Sequence, residues 1–204
     1  MNKNLTGTSL VGGTVNHKRV ENDYYATDPQ SVRDLLDIYD IEGETFYEPC
    51  VGEGHIAKVL KEYFPNSEVY GTDLINRGYG NGKFDFINEN LEDRSDLLIP
   101  KKVDWIITNP PYSLAKEFID KSLAMTNKGV AMFLKIQFLE GQARREWFKN
   151  SSLKYVYVFS KRQDPFRNGD EVNPKTGKKW GSTMCFAWFI WKHGYNGEPI
   201  IRWI

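Results

Sequence analysis

Val103-Asp104-Trp105-Ile106-Ile107-Thr108 runs directly into Asn109-Pro110-Pro111-Tyr112, and the reading of the whole chain starts from this stretch. An apolar, β-branched run without internal Gly or Pro reads as a buried strand, and two consecutive prolines end it abruptly. Each proline also pushes the residue before it out of the α region, so a stiff loop follows the carboxyl end of the strand. In open α/β sheets that edge is where ligands bind. The loop offers an amide side chain at Asn109, a carbonyl at Pro110 and a ring at Tyr112. The amide oxygen and the carbonyl are both acceptors, suited to the two protons of a planar NH2 group, and Tyr112 can stack on the flat group that carries the amine. A turn with a packed tyrosine is the plainer alternative. The sequence places no His or Lys beside this loop.

The 204 residues suffice for one domain with a sizeable core. No apolar run reaches the length of a membrane span, and the first residues lack an apolar segment of signal-peptide length. A cytoplasmic protein is therefore expected. Cys50 and Cys185 sit in strand-like runs and are expected to be reduced and buried, and no metal site is expected. Net charge is zero, yet residues 1–100 carry 9 Lys+Arg against 18 Asp+Glu, and residues 101–204 carry the reverse. An acidic half holding a small cationic cofactor and a basic half facing a polyanion would give this pattern; so would solvated faces.

Upstream, residues 1–22 read as a flexible arm and residues 23–204 as a single domain. Asp28 as N-cap and Pro29 at the first helical position open an amphipathic helix. Thr45-Phe46-Tyr47 is a strand that feeds Glu48-Pro49-Cys50-Val51-Gly52-Glu53-Gly54, and a helix follows. A Gly-x-Gly turn between strand and helix lets backbone approach a cofactor closely. With Ala57 the spacing also satisfies a dinucleotide fingerprint, but the Glu48 carboxylate suits a cationic amino-acid cofactor better than a pyrophosphate. Asp73 ends the next strand about 20 residues beyond the turn, where an acid binds ribose hydroxyls or caps a helix. Strands are further expected at 83–87, 130–134, 155–159 and 183–191, and helices over 113–125 and 142–148. Helix–strand alternation as far as residue 153 implies a doubly wound, mostly parallel sheet of seven strands, and the last two strands an antiparallel hairpin. A basic insertion at 160–182 with interleaved aromatics interrupts that hairpin, a footprint for nucleic-acid contact through Lys175, Lys178 and Lys179.

Glu-Pro-x-x-Gly-x-Gly at 48–54, Asp73, Asp85-Phe86 and Asn109-Pro110-Pro111-Tyr112, in that order, resemble the S-adenosylmethionine-dependent methyltransferases that methylate planar amines, most often adenine N6 in DNA. The resemblance implies a Rossmann-like class I methyltransferase fold with S-adenosylmethionine as cofactor. It implies cofactor contacts from Glu48, Pro49, Cys50, Gly52, Gly54, Asp73, Leu74 and Asn109, with Asp85 and Phe86 in an adenine pocket. Tyr25 and Thr27 match the segment lining the methionine end, although Asp28 stands before the proline. Asn109, Pro110, Pro111 and Tyr112 would be catalytic, and Phe166 or Trp180 would stack on the target base opposite Tyr112. The acceptor would be adenine in DNA, flipped from the duplex or single-stranded. RNA adenine, a protein glutamine, or a non-catalytic nucleic-acid-binding subunit of the same fold are the alternatives. The family usually carries a separate recognition domain, so recognition here would fall to the short insertion, a second copy or a second subunit.

Overall fold

The computed structural model describes residues 25–163, 166–167, 171–178 and 184–204. The expected arm at 1–22, together with Lys179 and Trp180, lies outside them. In chain order come β1 (Tyr25–Ala26), α1 (Pro29–Ile38), β2 (Thr45–Glu48), α2 (His55–Tyr63), β3 (Glu68–Asp73) and β4 (Gly82–Lys83). They are followed by β5 (Val103–Thr108), α3 (Ala115–Met125), β6 (Thr126–Lys135), α4 (Gln142–Lys149), β7 (Leu153–Val158), β8 (Phe166–Arg167), β9 (Phe186–Lys192) and β10 (Ile200–Trp203).

Eight strands form one sheet in the order β10-β7-β9-β6-β5-β2-β3-β4. Every pairing is parallel except those of β9, which lies antiparallel between β6 and β7. β9 is buried from Phe186 to Trp191 because helices or loops cover both of its faces. Alternate residues feed two cores. Trp105, Ile107, Ala131, Phe133, Trp188 and Ile190 pack with Val32 and Leu35 of α1 and Ile56, Val59 and Leu60 of α2. Ile106, Val130, Met132, Phe189 and Trp191 point the other way, onto Ala115, Phe118 and Ile119 of α3. The Trp188 indole N–H donates to the Ser31 carbonyl at 2.8 Å and ties β9 to α1. α1 opens as expected: Asp28 accepts from the Gln30 amide at 2.9 Å and Pro29 takes the first position.

Three expectations need correction. The sheet has an eighth strand, β10, parallel to β7. Four exposed residues at a sheet edge carry none of the inward–outward pattern that marks a strand in sequence. The strand expected over 83–87 stops at Lys83, because Asp85 turns the chain: its carboxylate accepts from the Ile87 and Asn88 amides, both at 3.1 Å. The cysteines are free, but Cys50 lies in the turn after β2 and Cys185 is exposed just ahead of β9, so neither is in a strand and Cys185 is not buried. Separately, β1 and β8 form a two-stranded antiparallel ribbon that joins the start of the described chain to the insertion. Among the described residues no helix is long and apolar enough to cross a membrane.

Gly129 on β6 tests how tightly the sheet centre is packed. A Cβ there would stand 2.5 Å from the Trp191 carbonyl oxygen and 2.7 Å from the Trp105 ring. Gly129→Ala is expected to destabilise the protein by about 1–3 kcal/mol, read as a lower urea midpoint. An unchanged midpoint would show that the two tryptophans yield freely.

Candidate functional site

The chain leaves β2 toward β3 on one side and toward β5 on the other, so the sheet's switch point falls between β2 and β5. At that edge stand the carboxyl ends of β6, β5, β2 and β3 and the start of antiparallel β9. They bring Lys135, Asn109, Glu48, Asp73 and Phe186 onto adjoining strands.

The glycine turn is built as expected, with Gly52 at φ 51° and Gly54 at φ 83°, both left-handed, before α2 begins at His55. Two acids hold it. The Asp73 carboxylate accepts from the Gly52 amide at 2.9 Å and, through its other oxygen, from the Ile75 amide at 3.0 Å. Glu48 is buried and accepts at 2.9 Å from the Ala57 amide, one of the N–H groups the first turn of α2 leaves without a helical partner. Burial raises the Glu48 carboxyl well above its usual range, the Ala57 hydrogen bond offsets part of this, and the Asp73 charge adds to it. Cys50 is partly buried against the core at the turn, and its thiol is likewise pushed up, by burial and then by Asp73 and Glu48, with Thr108 offsetting part of the rise. The charges acting on Glu48 and Cys50 are therefore those of acids, so a cation entering here would meet an electronegative pocket.

Asn109 follows the end of β5, next to the strand β2 that feeds this turn, and Tyr112 opens a short 3-10 helix just beyond it. The Asn109 side-chain NH2 donates to the Tyr25 carbonyl at 3.2 Å. A backbone carbonyl only accepts, so the contact fixes which end of the amide faces β1 and directs its oxygen elsewhere. The Tyr112 ring lies 6.1 Å from that of Phe186, and the Lys135 ammonium stands 4.8 Å from its centre. The Tyr112 hydroxyl is buried without a well-formed hydrogen bond. Burial raises its pKa, and the neighbouring Asn109 offsets only part of the rise. Thr27 also buries a hydroxyl that finds no partner, and the Thr108 hydroxyl meets only the Cys50 thiol, without a well-formed hydrogen bond. These three polar atoms, the electronegative turn and the positive-φ glycines suit a polar, cationic small molecule.

Other expected residues fall elsewhere. Phe86 is 2% exposed and lies in the core, stacked on Phe118 at 4.9 Å and edge-on to Tyr47 at 6.0 Å. The Asp85 carboxylate is engaged by Asn88, by both its amide and its side chain, and by the Ile87 amide. Those bonds, that of the Asn88 side chain foremost, lower its pKa. Asp85 thus holds a local turn, and Phe86 lies in the core. Phe166 is carried in by the β1–β8 ribbon, but its ring meets His55 edge-on at 6.0 Å. With Asp28, Gln30 and Arg162 it lines a shallow cavity of about 240 Å³. Lys175 and Lys178 are exposed on a tight turn at 173–178. Leu74 is exposed beside Asp73.

Two site residues escaped the sequence reading. Lys135 lies far from Asn109 in the chain, and only the β5–β6 pairing brings it onto Tyr112, so a lysine does stand beside the loop. Tyr79 covers the glycine turn. A Cβ on Gly54 would fall 2.6 Å from its ring, and Lys58 and Lys61 approach the same ring at 5.2 and 5.7 Å. The one signal for it was a single aromatic in a Gly- and Asn-rich loop.

No protein-family model matches the sequence, and no curated protein matches it. Solved structures do. A proposed RNA methyltransferase from Pyrococcus horikoshii superposes with a TM-score of 0.58 at 16% identity, over 91% of this chain and 96% of that one. A predicted O-methyltransferase from Agrobacterium tumefaciens gives 0.56 at 13% identity, over 86% and 85%. The modification subunit of a proposed type I restriction enzyme from Vibrio vulnificus gives 0.54 at 14% identity, covering 91% of this chain but 48% of the subunit, so the chain spans about half that protein's length. Likeness at this level of identity speaks to architecture: the chain has the Rossmann-like fold of the class I methyltransferases.

Proposed function

We propose that the chain transfers a methyl group from S-adenosylmethionine to a planar amine, with N6 of adenine in DNA as the leading acceptor. The observation that carries this reading is the orientation of the Asn109 amide, fixed by Tyr25 at the switch point beside an acid-lined glycine turn. When bound, S-adenosylmethionine supplies a methyl group on a sulfonium, and its sulfur leaves with the bonding pair as a neutral thioether. Glu48 and Asp73 suit its positive charges, and the orphaned Thr27 hydroxyl offers it a hydrogen bond.

Asn109 directs its amide oxygen, and Pro110 its carbonyl, at the two protons of the acceptor amine. Both acceptors draw the nitrogen lone pair out of conjugation and aim it at the methyl carbon. Tyr112 supplies a stacking wall, and Lys135 over its ring holds that wall in place. The new bond is N–CH3, and the surplus amine proton passes to water afterwards. Most of the acceleration then comes from positioning and electrostatics rather than from a general base. The insertion at 160–182 provides the aromatic opposite Tyr112, Phe166 or Trp180, and a basic face for the polymer; fuller target recognition falls to a second copy or a second subunit.

One observation favours a different acceptor. Phe166 packs on His55, and a protein glutamine would need no second aromatic wall. Incubation with labelled S-adenosylmethionine and DNA, RNA and protein in parallel, followed by nucleoside and amino-acid analysis, separates these acceptors. Label in N6-methyladenine of DNA supports the leading reading, label in RNA or glutamine replaces it, and no transfer together with no cofactor binding leaves a binding protein.

Asn109→Ala is expected to lower turnover by about 10²–10³-fold while cofactor affinity stays within a few-fold by calorimetry; a fully active variant would sink the mechanism. Glu48→Gln keeps an acceptor for the Ala57 amide and removes a buried carboxylate. The melting temperature should hold or rise, while cofactor affinity falls about 10-fold or more. Undiminished affinity would remove Glu48 from the site. Changing Lys175, Lys178 and Lys179 to Ala together should weaken DNA binding and flatten its salt dependence. Binding unchanged at every salt concentration would take the insertion out of the interface.

A further inference from the structure

A concentration of positive charge lies at the edge of the sheet opposite the candidate site. There β5, β6 and β7 begin and β9 ends, and these four strands are neighbours in the order β7-β9-β6-β5. Each brings a cation to the rim. Lys102 precedes Val103, which pairs with Thr126; the Thr126 hydroxyl lies 3.0 Å from His193 Nε2. The His193 amide donates to the Lys128 carbonyl at 3.0 Å, and Gly129 pairs with Lys192. The Lys192 amide donates to the Ser152 carbonyl at 3.1 Å, which places Lys154 one strand further along. At about 4.8 Å per strand the row extends for roughly 15 Å.

The charges feel one another. Burial lowers the Lys192 pKa, and Lys128 and Lys154 lower it further, against Glu42 and Asp104, which raise it. His193 is lowered by burial and then by Lys102 and Lys192. Two acids also reach this rim, Glu42 and Asp104, but they act on Lys192 less than Lys128 and Lys154 do, and the Asp104 carboxylate is anchored by the Glu44 and Thr45 amides at 2.8 and 3.3 Å. Two of the ammonium groups also lie over aromatic rings, Lys154 over Tyr155 and Tyr195 at 5.1 and 5.6 Å, and Lys192 over Trp105 at 4.9 Å. Such packing keeps the ammonium groups in a row instead of letting them spread apart.

We infer that this rim, formed by Lys102, Lys128, Lys154, Lys192 and His193, binds the phosphate backbone of a nucleic-acid segment separate from the one presented at the catalytic edge. Like charges drawn together at a surface cost free energy that a polyanion releases on binding, and a row of cations matches a row of phosphates. Lys135 lies seven positions along β6 from Lys128, about 23 Å at strand rise, so the rim contributes affinity without touching the reacting groups. The rim would thereby give a sequence-independent hold on the polymer. The inference shares with the proposed function the assumption that the partner is nucleic acid, and needs no methyl transfer.

The test uses a labelled duplex of roughly 30 G·C pairs, which contains no adenine, titrated by fluorescence anisotropy between about 50 and 200 mM NaCl. Wild-type affinity should fall steeply with salt. In the combined variant Lys102→Ala, Lys128→Ala, Lys154→Ala the slope of log K against log salt should shrink by about 2–3, while Asn109→Ala leaves it unchanged. Changing the same three lysines to Arg should restore the slope. If the Ala variant does not fold by circular dichroism, the Gln variant takes its place. An unchanged slope, or polyglutamate binding as tightly as the duplex with the same lysine dependence, overturns the inference. DNA methylation with an unchanged slope would defeat the rim alone, whereas a reduced slope with no methylation of any nucleic acid would defeat the proposed function alone.

Discussion

Everything in this molecule depends on one reversed strand. β9 enters between β6 and β7 against the direction of its neighbours, and it does so with six consecutive buried residues. Phe189 and Trp191 face α3, whereas Trp188 and Ile190 face α1 and α2, so this strand contributes to both cores. A solvent-exposed face would have demanded alternation with polar residues, and Phe186-Ala187-Trp188-Phe189-Ile190-Trp191 has none. The same reversal brings Phe186 to the edge where β6, β5, β2 and β3 end, and Lys192 to the edge where β5, β6 and β7 begin. The aromatic neighbour of Tyr112 and the middle of the basic row are thus the two ends of one strand.

At the switch point the dominant force is electrostatic. Asp73 is tied by an amide of the glycine turn and Glu48 by an amide of the helix that follows it, and burial disfavours the Glu48 charge, with Asp73 adding to the effect. Such an arrangement costs stability in the empty protein, and a bound cation would offset the cost. Strain of this kind has a natural place where a ligand belongs.

Much of this was legible in the amino-acid order. Buried strands announce themselves by β-branched and aromatic runs, and β2, β3, β5, β6, β7 and β9 each carry one. The acid before the glycine turn, the acid after β3 and the Asn-Pro-Pro-Tyr loop were located because each depends on spacing along a few residues. What escaped depended on partners distant in sequence or on local competition. Lys135 reaches Tyr112 only through strand pairing, and Tyr79 reaches Gly54 only through the return of its loop. Phe86 reads as a pocket residue until the Asp85 turn rotates it into the core. β10 was invisible because an exposed edge strand need not alternate.

The hydrogen bond from Asn109 to Tyr25 spans 84 positions of the chain. Its amide is therefore aligned when the β1–β8 ribbon closes, not when an acceptor arrives. Rotational freedom that a floppy carboxamide would surrender at encounter has already been surrendered during folding, along with the water such an amide would have had to shed. A change at Ala26, inside the ribbon, would then loosen the Asn109 side chain without altering the loop that carries it.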